Sequence, residues 1–318
     1  MKRQIAERIR QARTIALCSH VRPDADSIGS GLALLFMLRQ LGKDAVFINA
    51  DRAPYPVSKL PGCEQIQNGQ IFPRPFDLLV LIEGSSEERT GQKRLQDYAC
   101  VHIDHHAASG EGVDLQASWV VPGAAAVGEL VYELGLELGV EFSRDIAFNL
   151  YAAIAADTGS FKYSNTTPAS LAIAADLARR GGFSPFEVSD LLFNSNSQEK
   201  VLMLTRVLST LQLELGGRLA MIHFRRDFLD RLSLKDIETE DIIAIARSID
   251  GVQVLLFFKE IAADYFRVSI RSRGDISARQ VALAYQGGGH AHAAGFFYRG
   301  SLERAKQEIA QMVADQFR

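Results

Sequence analysis

His20, Asp24 and Asp26 stand within seven residues of one another, in the stretch His20-Val21-Arg22-Pro23-Asp24-Ala25-Asp26-Ser27-Ile28-Gly29. One imidazole and two carboxylates so spaced suit a divalent cation, because such nitrogen and oxygen donors bind hard and borderline metals. Each acid alone has an ordinary reading, Asp26 as a helix N-cap and Pro23-Asp24 as a turn. Neither explains His20 standing beside both. Further along, Glu83, the run Asp104-His105-His106 and the run Asp157-Thr158-Gly159 each close an apolar segment. Taken singly, these are a solvated acid, a polar loop and a helix-end turn. Gathered at the ends of elements, they point to a metal site.

The segments before these residues are what must bring them together. Residues 14–18 are short, apolar and β-branched enough for a buried strand, and 28–41 form an unbroken apolar stretch long enough for a helix. Strands are expected again at 45–49, 76–83 and 100–104, with a loop carrying Pro54, Pro56 and Pro61 between the second and third. Near-continuous apolar strands separated by helical segments predict an α/β fold with a parallel sheet covered on both faces. Parallel strands put their carboxyl ends on one edge, so Asp24, Asp26, Glu83 and His105 should converge there.

Helices follow at 124–138, 144–156 and 169–179, the last stopped by Gly181-Gly182. Ser184-Pro185 opens another, and 198–215 reads as a longer helix with Val201, Leu204, Leu208 and Leu211 at helical spacing. After Gly216-Gly217 the pattern restarts: strand 218–224, helix 239–249, strands 252–260 and 265–272, helix 277–284, a glycine run, a short strand and a terminal helix from Leu302. The expected organisation is a first domain over 1–193, a helical connector over 194–215 and a smaller α/β domain over 216–318.

The composition narrows the chemistry. With 318 residues, 47% hydrophobic and 23% charged, the chain suits two globular domains with a substantial core. No signal-like start and no window of 18 uncharged apolar residues is present, so a cytoplasmic protein is expected. Cys18, Cys63 and Cys100 have no C-x-x-C spacing and read as free thiols rather than zinc ligands. From Gly216 onward 15 Lys and Arg face 13 Asp and Glu, giving +2, and 20 against 25 before it give −5. The acidic excess lies with the candidate ligands. Arg267, Arg271, Arg273 and Arg279 cluster later, but no basic stripe suited to long duplex nucleic acid exists.

At these residues the chain resembles the DHH phosphoesterase family, named for the Asp-His-His run seen here at 104–106. The likeness extends to the His20–Gly29 turn, to Asp157-Thr158-Gly159, and to Gly287-Gly288-Gly289-His290-Ala291-His292-Ala293-Ala294-Gly295, which is similar to the motif of that family's C-terminal domain. Four ordered motifs span nearly the whole chain. Size and the two-domain plan resemble the nanoRNase/pAp phosphatase-like branch.

The resemblance implies two divalent metal ions, most often manganese, with magnesium the other option. His20 and Asp24 would hold one, Asp26, His105 and Asp157 the other, and Glu83 would bridge them. Asp104, His105 and His106 would form the catalytic run, with His106 meeting either the substrate phosphate or the groups behind the metal ligands. Arg271, Ser272, Gly287, Gly288, Gly289 and His290 would clamp one end of a nucleotide, placing the active site in an interdomain cleft. The implied activity is release of 5′-mononucleotides from dinucleotides and other very short oligonucleotides, with 3′-phosphoadenosine 5′-phosphate a further substrate. Its partners would be short single strands or nucleotides, with no membrane and with a homodimer left open.

One residue departs from the pattern. The family carries Asp where this chain has Glu83, and the longer side chain adds roughly 1.5 Å of reach. That departure keeps open a nucleotide-binding protein weakened in catalysis; a cyclic-dinucleotide phosphodiesterase, with the same bond and small size, and an inorganic pyrophosphatase, which shares the first-domain motifs, also stay open. The run at 287–295 argues against the pyrophosphatase.

Overall fold

The computed structural model describes residues 1–106, 113–229 and 240–317, in two compact units, Met1–Ser195 and Asn196–Arg318. In the first unit the apolar runs become β1 (Thr14–Cys18), β2 (Asp44–Asn49), β3 (Gln67–Asn68), β4 (Leu78–Ile82), β5 (Cys100–Asp104) and β6 (Ala117–Val120). They form one parallel sheet in the order β3-β2-β1-β4-β5-β6. Neither β3 nor β6 is among the strands expected from the sequence. Both are short edge strands, and β3 is two exposed polar residues.

Side chains of β1 and β4 alternate between two cores. Ile15, Leu17, Val80 and Ile82 face the larger one, built with α1 (Lys2–Gln11), α2 (Ala25–Gln40), α4 (Val127–Leu138), α5 (Arg144–Asp157) and α6 (Pro168–Gly181). Ala16, Cys18, Leu79 and Leu81 face the smaller one, closed by Phe72 and Phe76 from irregular segments and by Leu95 at the start of a 3-10 turn. The short α3 (Glu87–Thr90) and α7 (Pro185–Phe193) complete the unit. Helix α2 is buried on nearly all sides. Gly29 permits this, since a Cβ there would lie 2.6 Å from the carbonyl oxygen of Asn149 on α5. That close approach brings the start of α2 beside the end of α5, and so Asp26 near Asp157.

The helix expected over 198–215 ends at Leu208 as α8 (Gln198–Leu208), and Gln212–Glu214 is strand β7. Leu208, Leu211 and Leu215 fit a helical spacing, but Leu211, Leu213 and Leu215 fit the two-residue period equally well, and antiparallel pairing with the next strand decides between them. Met203 and Val207 of α8 bury in the second unit's own core. Residues from Asn196 onward, expected as a separate connector, thus belong to that unit.

Strands β8 (Leu219–Phe224), β9 (Val254–Ala262), β10 (Tyr265–Ser272), β11 (Gly288–His290) and β12 (Ala293–Arg299) join β7 in the order β11-β12-β10-β9-β8-β7. Only β8 and β9 pair in parallel. One face packs on α10 (Ala278–Ala284) and α11 (Leu302–Asp315), and the other, over β8 and β9, on α8 and α9 (Glu240–Arg247). Thr239, expected to open α9, lies outside the described residues. Among the described residues no helix is long and apolar enough to cross a membrane.

Candidate metal centre

The chain leaves β1 for β2 on one side of the sheet and continues through β4, β5 and β6 on the other, so the strand order reverses between β1 and β4. His20 follows β1 and Glu83 follows β4 at that switch point, where crevices form in open α/β sheets. Asn49, at the end of β2, fixes the first of these loops: its Oδ1 accepts from the backbone N and Oγ of Ser19. Asn49 was not among the sequence candidates, and nothing in its spacing marks it.

Six residues form two groups around Glu83. Glu83 Oε2 lies 3.5 Å from His20 Nε2, which is 3.6 Å from Asp24 Oδ2. Glu83 Oε1 lies 3.1 Å from His105 Nε2, which in turn is 3.3 Å from Asp157 Oδ2 and 3.8 Å from Asp26 Oδ2. The two carboxylate oxygens of one side chain, itself 1% exposed, thus serve two separate donor sets: His20, Asp24 and Glu83, and Asp26, His105 and Asp157 with Glu83 alongside. Glu83, His105 and His106 form a third grouping that shares these residues.

The donor atoms are turned for a cation. The ring Nδ1 of His20 meets the Val21 carbonyl oxygen at 2.8 Å, and that of His105 meets the Ala124 carbonyl at 3.2 Å, so each imidazole points its Nε2 at the cluster. Buried atoms Glu83 Oε2 and His105 Nε2 nevertheless find no aligned hydrogen bond. Atoms this close that do not bond to one another fit an ion between them, and the oxygen-rich set suits manganese or magnesium. Burial pushes each of the three thiols up, and none joins the cluster.

Electrostatics give the same result. Burial, then the charges of Glu83, Asp157 and Asp24, drive the Asp26 carboxyl well above its ordinary range. Asp157 rises to about 6 by burial and the charges of Glu83 and Asp24, against the pull of His105. Burial disfavours the charged forms of His20 and His105, yet facing carboxylates outweigh it and raise them to about 10 and about 9. Raised Asp26 and Asp157 beside raised His20 and His105 mark a site crowded with negative charge. Two dications would offset that charge.

Asp26 is not the N-cap of α2. Asp24 takes that place in a capping box with Ser27, while the buried Asp26 carboxylate accepts from Val127 N at 2.6 Å, Gly128 N and Ser30 Oγ. It therefore caps α4, which begins at Val127 rather than at Ala124.

Asp104 belongs to neither donor set. Its Oδ1 accepts from the backbone N of His106 at 2.8 Å and from His106 Nδ1 at 2.9 Å, and Oδ2 lies 3.2 Å from His102 Nε2. Burial opposes ionisation of Asp104, but those two histidines hold its carboxyl below the usual range. It turns the exposed His106 ring so that Nε2 faces outward. His102, missed in the sequence, shares a strand face with Asp104 through the two-residue period and meets Ser118 Oγ at its other nitrogen.

In the second unit Arg271 pairs with Ala293 of β12, and Ala293 with His290 of β11. These three stand in one row on one face, with Arg271 and His290 two strand spacings apart, about 10 Å. Gly287, Gly288 and Gly289 lead into that row, and Gly289 takes φ 139°, which a side chain resists. Strand β11 replaces the tight turn that the glycines suggest. Ser272 is a correction: alternation turns it to the buried face, where its hydroxyl donates to Ile276 O and contacts His292 Nδ1 at 3.2 Å. It holds His292 and does not share the face of Arg271 and His290.

Residues 14–154 match the model of the DHH family, N-terminal domain, and 231–318 that of the DHHA1 domain. A bifunctional oligoribonuclease and PAP phosphatase from Thermus thermophilus is 32% identical over 95% of this chain and 90% of its own length. The Bacillus subtilis protein of the same name is 29% identical over 93% and 92%. The crystal structure of an exopolyphosphatase-related protein from Bacteroides fragilis shares the fold, with a TM-score of 0.85 at 22% identity, covering 99% of this chain and 96% of that one.

Proposed function

The chain belongs to the DHH family of phosphoesterases, and on that premise we propose that it hydrolyses the phosphodiester bonds of very short oligonucleotides to 5′-mononucleotides, with 3′-phosphoadenosine 5′-phosphate as a second substrate. The names of the Thermus and Bacillus relatives support both activities. The observation that carries the reading is the division of the two Glu83 oxygens between two imidazole-carboxylate sets.

We assign His20, Asp24 and Glu83 to one divalent ion and Asp26, His105, Asp157 and Glu83 to a second, both manganese. Such ions, when bound, neutralise charge on the phosphoryl group and make water nucleophilic near neutral pH. The remaining work falls to the protein. Asp104 orients His106 toward the substrate phosphate, and the bonds from Val127 N, Gly128 N and Ser30 Oγ fix the Asp26 carboxylate in place. Arg271 and His290 offer charge-assisted donors to a nucleotide phosphate, and Gly287, Gly288 and Gly289 keep side chains out of the way. A small, rowed set of donors favours a substrate of few nucleotides.

Purified protein, manganese chloride and a panel of labelled linear dinucleotide, cyclic dinucleotide, 3′-phosphoadenosine 5′-phosphate and pyrophosphate form the test. Mononucleotide release from the linear dinucleotide is the expected result. Preferred turnover of the cyclic compound or pyrophosphate overturns the substrate class. Tight dinucleotide binding without turnover, in folded and metal-loaded protein, overturns catalysis itself.

A further inference from the structure

Glu83 reaches both donor sets from an uncommon backbone. Its φ is 56°, in the left-handed region that favours glycine, and its N–H is tied to the Ile103 carbonyl at 3.0 Å. The carbonyl on its other side accepts from Arg89 Nε at 3.2 Å. To make that bond the Arg89 side chain crosses Gly84, and a Cβ on Gly84 would sit 2.8 Å from Arg89 Cγ and 3.3 Å from Thr90 Cγ2. Arg89 is also joined to the other loop of the site, because its own carbonyl accepts from Val21 N at 2.8 Å. Val21 in turn offers the carbonyl that meets His20 Nδ1. Helix α3, which carries Arg89, is anchored by Ser86 Oγ accepting from Arg89 N and by Thr90 Oγ1 donating to Ser86 O.

We propose that Arg89 is a positioning residue, which locks the Glu83 backbone in its left-handed turn and sets Glu83 and His20 at the separation that the first ion requires. The inference rests on the two-ion reading of the site. The left-handed turn sets where the Glu83 carboxylate falls between the two donor sets, and the guanidinium holds that turn from the carbonyl side. Arg89 acts from behind the ligands, through Nε on a carbonyl and a carbonyl on Val21. Gly84 is required only because the side chain must lie across it.

Titration of metal-free protein with manganese chloride by calorimetry, beside circular dichroism, tests this. Arg89→Met keeps the stem as far as the position of Nε but removes the donor, Arg89→Lys keeps a donor one atom further out, and both keep the backbone bond to Val21. The parent should bind two ions. Arg89→Met should weaken one of the two by roughly 10- to 100-fold, the cost of losing a partner behind a metal ligand, and leave the other near the parent value. Arg89→Lys should recover most of the loss, and Gly84→Ala should reproduce the Met variant. A parent that binds two ions and a Met variant that matches it overturn the role of Arg89 alone. Equal weakening of both ions, or failure of Lys to rescue, also overturns it. A parent that binds no manganese overturns the two-ion reading with it.

Discussion

In the first unit the candidate residues stand at the ends of buried parallel strands and at helix termini, where His20 is 6% exposed and Glu83 1%. In the second, Arg271, Ala293 and His290 lie side by side across antiparallel strands, and His290 is exposed. A parallel sheet gathers residues far apart in sequence onto one edge and removes water from them, which suits chemistry on charge. An antiparallel hairpin instead lays neighbours in a row at fixed spacing, which suits holding an extended anion. The contrast predicts that substitutions in the first unit lower kcat, while those in the second raise KM.

The sharpest break with that contrast would come from Glu83. Glu83→Ala should lower kcat by at least about 100-fold with the fold intact by circular dichroism, because both donor sets lose a charge at once. Glu83→Asp should lower it by less, since a side chain about 1.5 Å shorter on the same left-handed backbone cannot reach His20 and His105 together. A rise in turnover for the Asp variant would show that glutamate strains the site. His290→Ala should raise KM for a dinucleotide by roughly 10-fold, the worth of one hydrogen bond to a charged group, at nearly constant kcat. Steady-state kinetics separates the two, and a fall in kcat alone would move His290 into the chemistry.

Gly289→Ala should cost about 1–3 kcal/mol of second-unit stability in urea unfolding, without altering manganese binding. Its Cβ would stand 2.5 Å from the Ala293 carbonyl oxygen on a φ of 139°. The smallest effect is a pH slope. Burial, then the charges of Lys306 and Arg225, depress His223 to about 4 from its ordinary 6.5, and Lys306 Nζ is 3.3 Å from its Nδ1. Between those values the unfolded chain binds a proton that the folded one does not. The contribution is therefore complete above pH 6.5 and lost as pH falls toward 4. Thermal melts of His223→Gln should show a shallower decline over that window than the parent, and identical slopes would refute the effect.

The sequence determined the parallel sheet of the first unit and the acids and imidazoles at its edge. Uninterrupted apolar runs cannot be satisfied unless both faces are covered, and chain direction then fixes which ends meet. It also placed Arg271 and His290 in the second unit. What it could not show was which group each side chain faces. Asp26 reads as a cap for the helix it begins but caps α4, about a hundred residues away, because tertiary packing and not chain order brings Val127 and Gly128 to its carboxylate. Asp104 turns back to His106 and His102, and Ser272 turns inward, through strand alternation whose phase depends on registers set across the sheet. The left-handed turn at Glu83 leaves no trace in composition or periodicity. The N–H of Glu83 is bonded to the Ile103 carbonyl and its own carbonyl to Arg89 Nε, two partners that only folding brings to it.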